Sequence, residues 1–482
     1  MDPRLRGDDK AGRFCFDGVM LRPLLASLAL LATPAVAQPL TPAELARVDK
    51  VVTETLRETG VPSASVAIVR GGRIVLAKAW GKQCERCNAP DPNLPQPIAS
   101  VSKQFTTAAL LLLENEGKLS LDDPVARHLP GVTGGERITI RQLLSHTAGL
   151  QDYWPQDYSF AAMERPIAPR GIVERWAGKP LDFAPGAQWQ YSNTGYTVAG
   201  MIAEKAAGQP LMAFMHERLF RPLGIRAVDH DLAVGRGFAQ GYERHALGPV
   251  RVAQLPASGW MYATGHLAMS AADLARWNIA RLNRALLPAE DWAEQEKVVP
   301  LSDGTDTGYA LGVFSTKRDG RRFVGHDGAA VGFLTQNFVY PDDKVAITVI
   351  INGDFSNAAS AIAAGLTGIV LPASAATADD GAMTARARGM FDSLVAGAPN
   401  RAALTENARY FFKPVTLADY RTSLSALGRP VGFELARPAR LRGGFVNRNY
   451  VVTYPTRRLR IITYTEPGPN GRYEQFIVQP AS

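Results

Sequence analysis

IASVSKQFTT, residues 98–107, places Ser100 and Lys103 three positions apart, between a proline-rich loop and an apolar run. Two readings fit this stretch locally. A serine just before an apolar helical pattern is a common N-cap. A serine with a lysine one helical turn away is also a nucleophile with its base, because residues i and i+3 share a helix face. S-x-x-K occurs by chance roughly once or twice in a chain of this length and average composition, so residues elsewhere have to decide.

Working outward, SASVAIV (63–69) and RIVLAKAW (73–80) are β-rich and joined across Gly71-Gly72, which predicts a hairpin. A helix is expected from Val101 to Glu116, closed by Gly117. Residues 118–320 read mostly as helical pieces broken by Pro and Gly, one of them opened by the cap-like Ser270-Ala-Ala-Asp273. Strand signals return at 322–325, 333–340 and 344–352. The order strands, helices, strands predicts an α+β fold: one antiparallel sheet built from both ends of the segment, flanked by helices, with an inserted helical lobe. An Ala/Asp/Ser-rich linker is expected over 371–383. Beyond it, helix signals around 384–396 and 416–427 and four strand-like runs predict a small α+β domain over 384–482.

Two further triplets bear on Ser100. Tyr191-Ser192-Asn193 precedes a helical run, and His326-Asp327-Gly328 lies among the late strands, followed by Ala329. In this order, S-x-x-K, Y-x-N and H-x-G resemble the three active-site motifs of the serine β-lactamase and penicillin-binding-protein superfamily, in its class C-like branch. LLSHTAGL (143–150), FAPGAQWQYSNTGY (183–196) and TGYALGV (307–313) fit the same branch. The resemblance spans roughly residues 40–370 and implies a β-lactamase-like fold over 38–370. It implies Ser100 as nucleophile, Lys103 as its base and Tyr191 in the proton relay. Asn193 would bind the substrate amide or hold Lys103. His326, Asp327, Gly328 and Ala329 would line the substrate site, with the N–H groups of Ser100 and Ala329 as the oxyanion donors.

The chain departs from β-lactamases where they carry the lysine and hydroxyl of K-T-G. His326 and Asp327 stand there, which weakens a pocket built for a carboxylate and resembles the esterase and D-aminopeptidase branches. The expected activity is therefore an acyl-enzyme hydrolase of ester or peptide-like substrates, including cell-wall-derived ones. The alternatives are a β-lactamase or D-Ala-D-Ala carboxypeptidase, and a non-hydrolysing peptidoglycan sensor.

Composition narrows the partners. The chain of 482 residues is 46% hydrophobic and 20% charged, with a net charge of +8. Residues 38–382 carry 33 basic and 35 acidic side chains, and residues 383–482 carry 15 and 6. The excess positive charge thus belongs to the C-terminal hundred residues. It reads as a solvated face or as a loose electrostatic hold on anionic envelope polymers. No aromatic-basic pattern points to nucleic acid, no H-E-x-x-H points to a metal, and no cofactor is expected.

From Met20 the sequence MLRPLLASLALLATPAVAQ has one Arg, an apolar core and Ala35-Val36-Ala37 as a cleavage site. Residues 1–37 are expected to be a leader and signal peptide, with translation starting at Met20 and the protein periplasmic or secreted. Export would leave Cys84 and Cys87, read in order as a tight-loop disulfide, free thiols or a metal pair.

Overall fold

The structure, a computed structural model, describes residues 38–481 apart from 157, 236, 372–377 and 443. The signal segment expected over 1–37 and part of the expected linker lie outside them.

Helix α1 (Pro42–Thr59) begins at a capping box between Thr41 and Glu44 and ends at left-handed Gly60. Strands β1 (Ser63–Arg70) and β2 (Arg73–Gly81) form the expected hairpin. The principal helices that follow are α2 (Lys103–Asn115), α3 (Asn193–Ala207) and α4 (Ala271–Leu282). Ser270 caps α4 by accepting from the Asp273 N–H at 3.0 Å. Then come β3 (Phe314–Arg318), β4 (Arg321–Ala330), β5 (Phe333–Tyr340), β6 (Val345–Ile351) and helix α5 (Ala358–Val370). The six strands form one sheet in the order β2-β1-β6-β5-β4-β3, all antiparallel. The first hairpin therefore closes on the last strand, with Ala64 opposite Ile351.

Successive side chains of a strand point to opposite faces, and both faces of this sheet are covered. Val66, Ile68, Ile347 and Val349 pack on α1 and α5. Ala67, Val69, Ala346 and Ile350 belong to the larger core that holds Phe105 of α2 and Trp277 of α4. Cover on both sides is why β1 and β6 read as continuous apolar runs.

Two features of this sheet depart from the sequence reading. FSTKR at 314–318 is a polar edge strand, recruited because β4 offers it an unpaired edge. The strand expected at 322–325 runs on to Ala330: ladder pairing of Gly328 with Thr335 and of Ala330 with Phe333 outweighs the poor β propensity of two glycines.

The C-terminal segment has helices α6 (Ala378–Val395) and α7 (Pro414–Ser425) and strands β7 (Gly432–Arg442), β8 (Phe445–Thr453), β9 (Arg458–Thr465) and β10 (Tyr473–Pro480). The strands pair antiparallel in sequence order. Phe391, Leu394, Tyr450, Val452, Ile461 and Phe476 make a core of their own. Helix α6 starts inside the segment expected as linker. Among the described residues no helix is long and apolar enough to cross a membrane. Cys84 and Cys87 are disulfide-bonded.

Candidate active site

Ser100 sits in a single 3₁₀ turn, Ala99–Ser102, that feeds directly into α2. It makes no capping bond there. Its Oγ accepts from the Tyr191 hydroxyl at 2.7 Å and lies 3.0 Å from Lys103 Nζ. The turn is pinned from two sides. The Ile98 N–H donates to the Leu267 carbonyl at 3.0 Å. On the other side β4 comes so close that a Cβ on Gly328 would stand 2.3 Å from the Ile98 oxygen, so only glycine permits this approach.

Backbone strain gathers here. Among the described residues eight non-glycines have left-handed φ, and Ala99 (49°), His146 (62°) and Ala263 (57°) border the site. Each such residue costs of order 1–3 kcal/mol. The kink at Ala263 has a visible use: it turns the Ala263 carbonyl to Thr106 Oγ1 at 2.8 Å and the Thr264 carbonyl to Lys103 Nζ at 2.9 Å.

Lys103 is fully buried. Nζ reaches Asn193 Oδ1 at 2.9 Å besides Ser100 and the Thr264 carbonyl. All three partners are neutral. Burial pulls its pKa down to about 7, against the opposing pull of the Asp152 and Asp327 charges. Burial also pushes the Tyr191 hydroxyl well above its usual range, so it remains a donor. Lysine at this pKa can shed its proton near neutrality and accept one from the serine.

His326 is buried on β4. Its Nδ1 meets the Asp327 carbonyl and its Nε2 lies 2.9 Å from the Tyr309 hydroxyl. A carbonyl only accepts, so Nδ1 carries the proton and Nε2 accepts from Tyr309. Burial lowers the His326 pKa to about 4, so the ring is neutral. Asp327 and Ala329 alternate with it and are exposed. Both line a cleft of about 1120 Å³ that also holds Ser100, Tyr191, Asn193 and Trp154.

Six of the eight residues singled out by motif thus line one cleft, with Lys103 buried behind Ser100 and Gly328 packed against Ile98. Sequence reasoning missed three contributors. Thr264 acts through its carbonyl, which no residue type announces. Tyr309 orients His326 from a loop. Asp152 accepts from Asn193 through both carboxylate oxygens, at 3.0 and 3.2 Å; a single aspartate after SHTAGL gives no pattern to find. His146, within the LLSHTAGL stretch, accepts from the Ser192 N–H at 3.1 Å and packs on Tyr191, ring centroids 4.2 Å apart. Among the described residues no three His, Cys, Asp or Glu side chains cluster as metal ligands.

Comparison with known proteins places the chain in a family. The family model for β-lactamase matches residues 48–371. The D-aminopeptidase of Brucella anthropi is 30% identical over 322 residues, 64% of this chain and 59% of that protein. That of Brucella canis is 30% identical over 318 residues, 62% and 58%. The chain therefore spans about three-fifths of the length of these relatives. A D-stereospecific amidohydrolase from Streptomyces sp. superposes with a TM-score of 0.59 at 28% identity, covering 68% of this chain and 99% of that one. The octameric penicillin-binding protein homologue from Pyrococcus abyssi, at 20% identity and TM-score 0.58, shares the fold over 90% of this chain and 99% of its own.

Proposed function

We propose, from the premise that the chain belongs to the β-lactamase family, that it is a serine hydrolase working through an acyl-enzyme on Ser100, with peptide- or amide-like substrates. One observation carries this reading: Ser100 Oγ contacts a buried lysine amine and the hydroxyl of a half-buried tyrosine at once. Neutral Lys103 takes the Ser100 proton as Oγ attacks the substrate carbonyl. The tetrahedral intermediate draws on the N–H groups of Ser100 and Ala329. As it collapses, the bond to the leaving nitrogen or oxygen breaks and Tyr191 supplies the proton, which Lys103 returns to the tyrosine. Water then attacks the acyl-enzyme with the proton transfers reversed.

The substrate class follows from Asp327. Its carboxylate is exposed in the cleft near the reacting groups. A like charge on an incoming carboxylate is disfavoured there, and an ammonium is favoured. The names D-aminopeptidase and D-stereospecific amidohydrolase borne by relatives point the same way. The preferred acyl group carries a free amine beside the scissile carbonyl. The A-V-A site and the Cys84–Cys87 disulfide support export to an oxidising compartment.

The test is a panel of D- and L-amino acid p-nitroanilides, their N-acetylated forms, p-nitrophenyl acetate and nitrocefin, on wild type and Ser100→Ala. Free-amine substrates should exceed N-acetylated ones by about tenfold or more, equivalent to ~1.4 kcal/mol. Nitrocefin turned over faster than every ester and amide would overturn the substrate class. Undiminished activity of Ser100→Ala would overturn the nucleophile.

A further inference from the structure

We propose that Asp152 is a positioning residue whose carboxylate fixes which way round the Asn193 amide faces, and so aims the electron pair of Lys103 at Ser100. The inference rests on Ser100 being the nucleophile. Asp152 Oδ1 accepts from the N–H of Asn193 at 3.0 Å and from the N–H of Trp154 at 3.1 Å, while Oδ2 accepts from Asn193 Nδ2 at 3.2 Å. The bond to Trp154 is a local turn. The two to Asn193 join segments 41 residues apart, and a local turn has no need of them.

An ionised carboxylate only accepts hydrogen bonds. Asn193 must therefore give Asp152 its NH₂ and turn its Oδ1 to Lys103, 2.9 Å away. The two ends of an amide have nearly the same shape, so the partners decide the orientation. A neutral lysine amine has two N–H bonds and one electron pair. Asn193 Oδ1 and the Thr264 carbonyl, both at 2.9 Å, receive the two N–H bonds. The electron pair is left for the third partner, the Ser100 hydroxyl at 3.0 Å. An amide facing the other way would offer Lys103 a donor, and that donor would compete with Ser100 for the same electron pair.

The test follows covalent labelling of Ser100 by a fluorophosphonate probe from about pH 5 to about pH 10, the range over which the lysine changes charge. Thermal unfolding is measured alongside. Asp152→Asn keeps the shape but presents an NH₂, which lets the Asn193 amide reverse. Labelling should fall by about 100-fold or more at every pH, at the low end of what a general base contributes. Asp152→Asn combined with Asn193→Asp restores the pattern: the new amide donates to the new carboxylate, whose other oxygen accepts from Lys103. Labelling should recover by about tenfold or more, with its acid limb moved to higher pH, because a charge now adjoins the lysine.

Asp152→Asn labelled within about threefold of wild type, less than one general-base contribution, would overturn the proposal. So would a folded double variant no faster than Asp152→Asn at any pH. Should the single variant unfold, the double variant decides alone: labelling above about a hundredth of the wild-type rate supports the proposal, and less overturns it. A wild type that takes no label would instead remove the reading of Ser100 on which the proposal stands.

Discussion

Lys103 and Arg281 are both buried, 0% and 1% exposed, and both belong to the layer of helices on one face of the sheet. Their surroundings are opposite. Arg281 donates to Glu296 at 3.0 Å and to the side-chain oxygens of Gln104 and Gln295 at 3.0 and 2.8 Å. Glu296 also binds Arg284 and Arg322. The Lys103 amine hydrogen-bonds a hydroxyl, an amide oxygen and a carbonyl and lies over the Tyr191 and Tyr196 rings, with Asp152 and Asp327 acting on it from further off. A buried charge needs a counter-charge to persist. A counter-charge in contact offsets the burial of an arginine, which is always protonated; a lysine touched only by neutral groups yields to burial and can become a base.

The largest expected effect breaks the Lys103 side of this contrast. Lys103→Met should lower Ser100 labelling by at least about 10³-fold, within the range for loss of a general base. It should not cost stability in proportion. The Lys103 pKa is lowered in the native state to about 7 from 10.5. Between those values the unfolded chain binds the extra proton, so stability rises with pH across that window. Below it the lysine costs the native state roughly 4–5 kcal/mol, at about 1.4 kcal/mol per pH unit. Urea denaturation from about pH 6 to about pH 10 should show this slope in wild type and its loss in Lys103→Met.

The Arg281 side predicts the reverse. Arg281→Met leaves Glu296 buried with one cation fewer, and should cost about 3 kcal/mol, the low end for breaking a buried pair, because Arg284 and Arg322 remain. Labelling of Ser100 should stay within about threefold of wild type, as the substitution leaves the base itself in place. A large loss of labelling with little loss of stability would erase the distinction between the two cations.

The smallest effect concerns a restraint on the surface. Cys84 and Cys87 close a loop of sequence separation 3. The loop-entropy relation gives such a short bridge at most about 2 kcal/mol. Urea midpoints with and without reductant should differ by no more than this, with labelling unchanged.

The elements legible in the sequence are those whose neighbours are close along the chain. The Gly71-Gly72 hairpin, the apolar β6 and the Ser270 cap of α4 depend on a few adjacent residues. Ser100 and Lys103 share a helix face whatever surrounds them. The edge strand Phe314–Arg318 was not legible, because its polar residues become a strand only beside β4. The run of β4 beyond Gly325, through Gly328 to Ala330, was hidden for the same reason. Tyr191, Asn193 and His326 stood out by resemblance to a family and not by any local signal.

What the sequence alone determined is the inventory: which side chains can act as nucleophile, base and donor, and which segments favour helix or strand. The tertiary structure decided what those groups can do. Lysine at position 103 has an ordinary pKa in the unfolded chain, and only complete burial without a touching carboxylate brings it to about 7. Ser100 is an N-cap candidate on paper, and a strained Ala99, the close approach of Gly328 and the reach of Tyr191 across 91 positions turn its oxygen into the cleft instead. Desolvation and direction are properties of what surrounds a group, and those surroundings come from segments far apart in the chain.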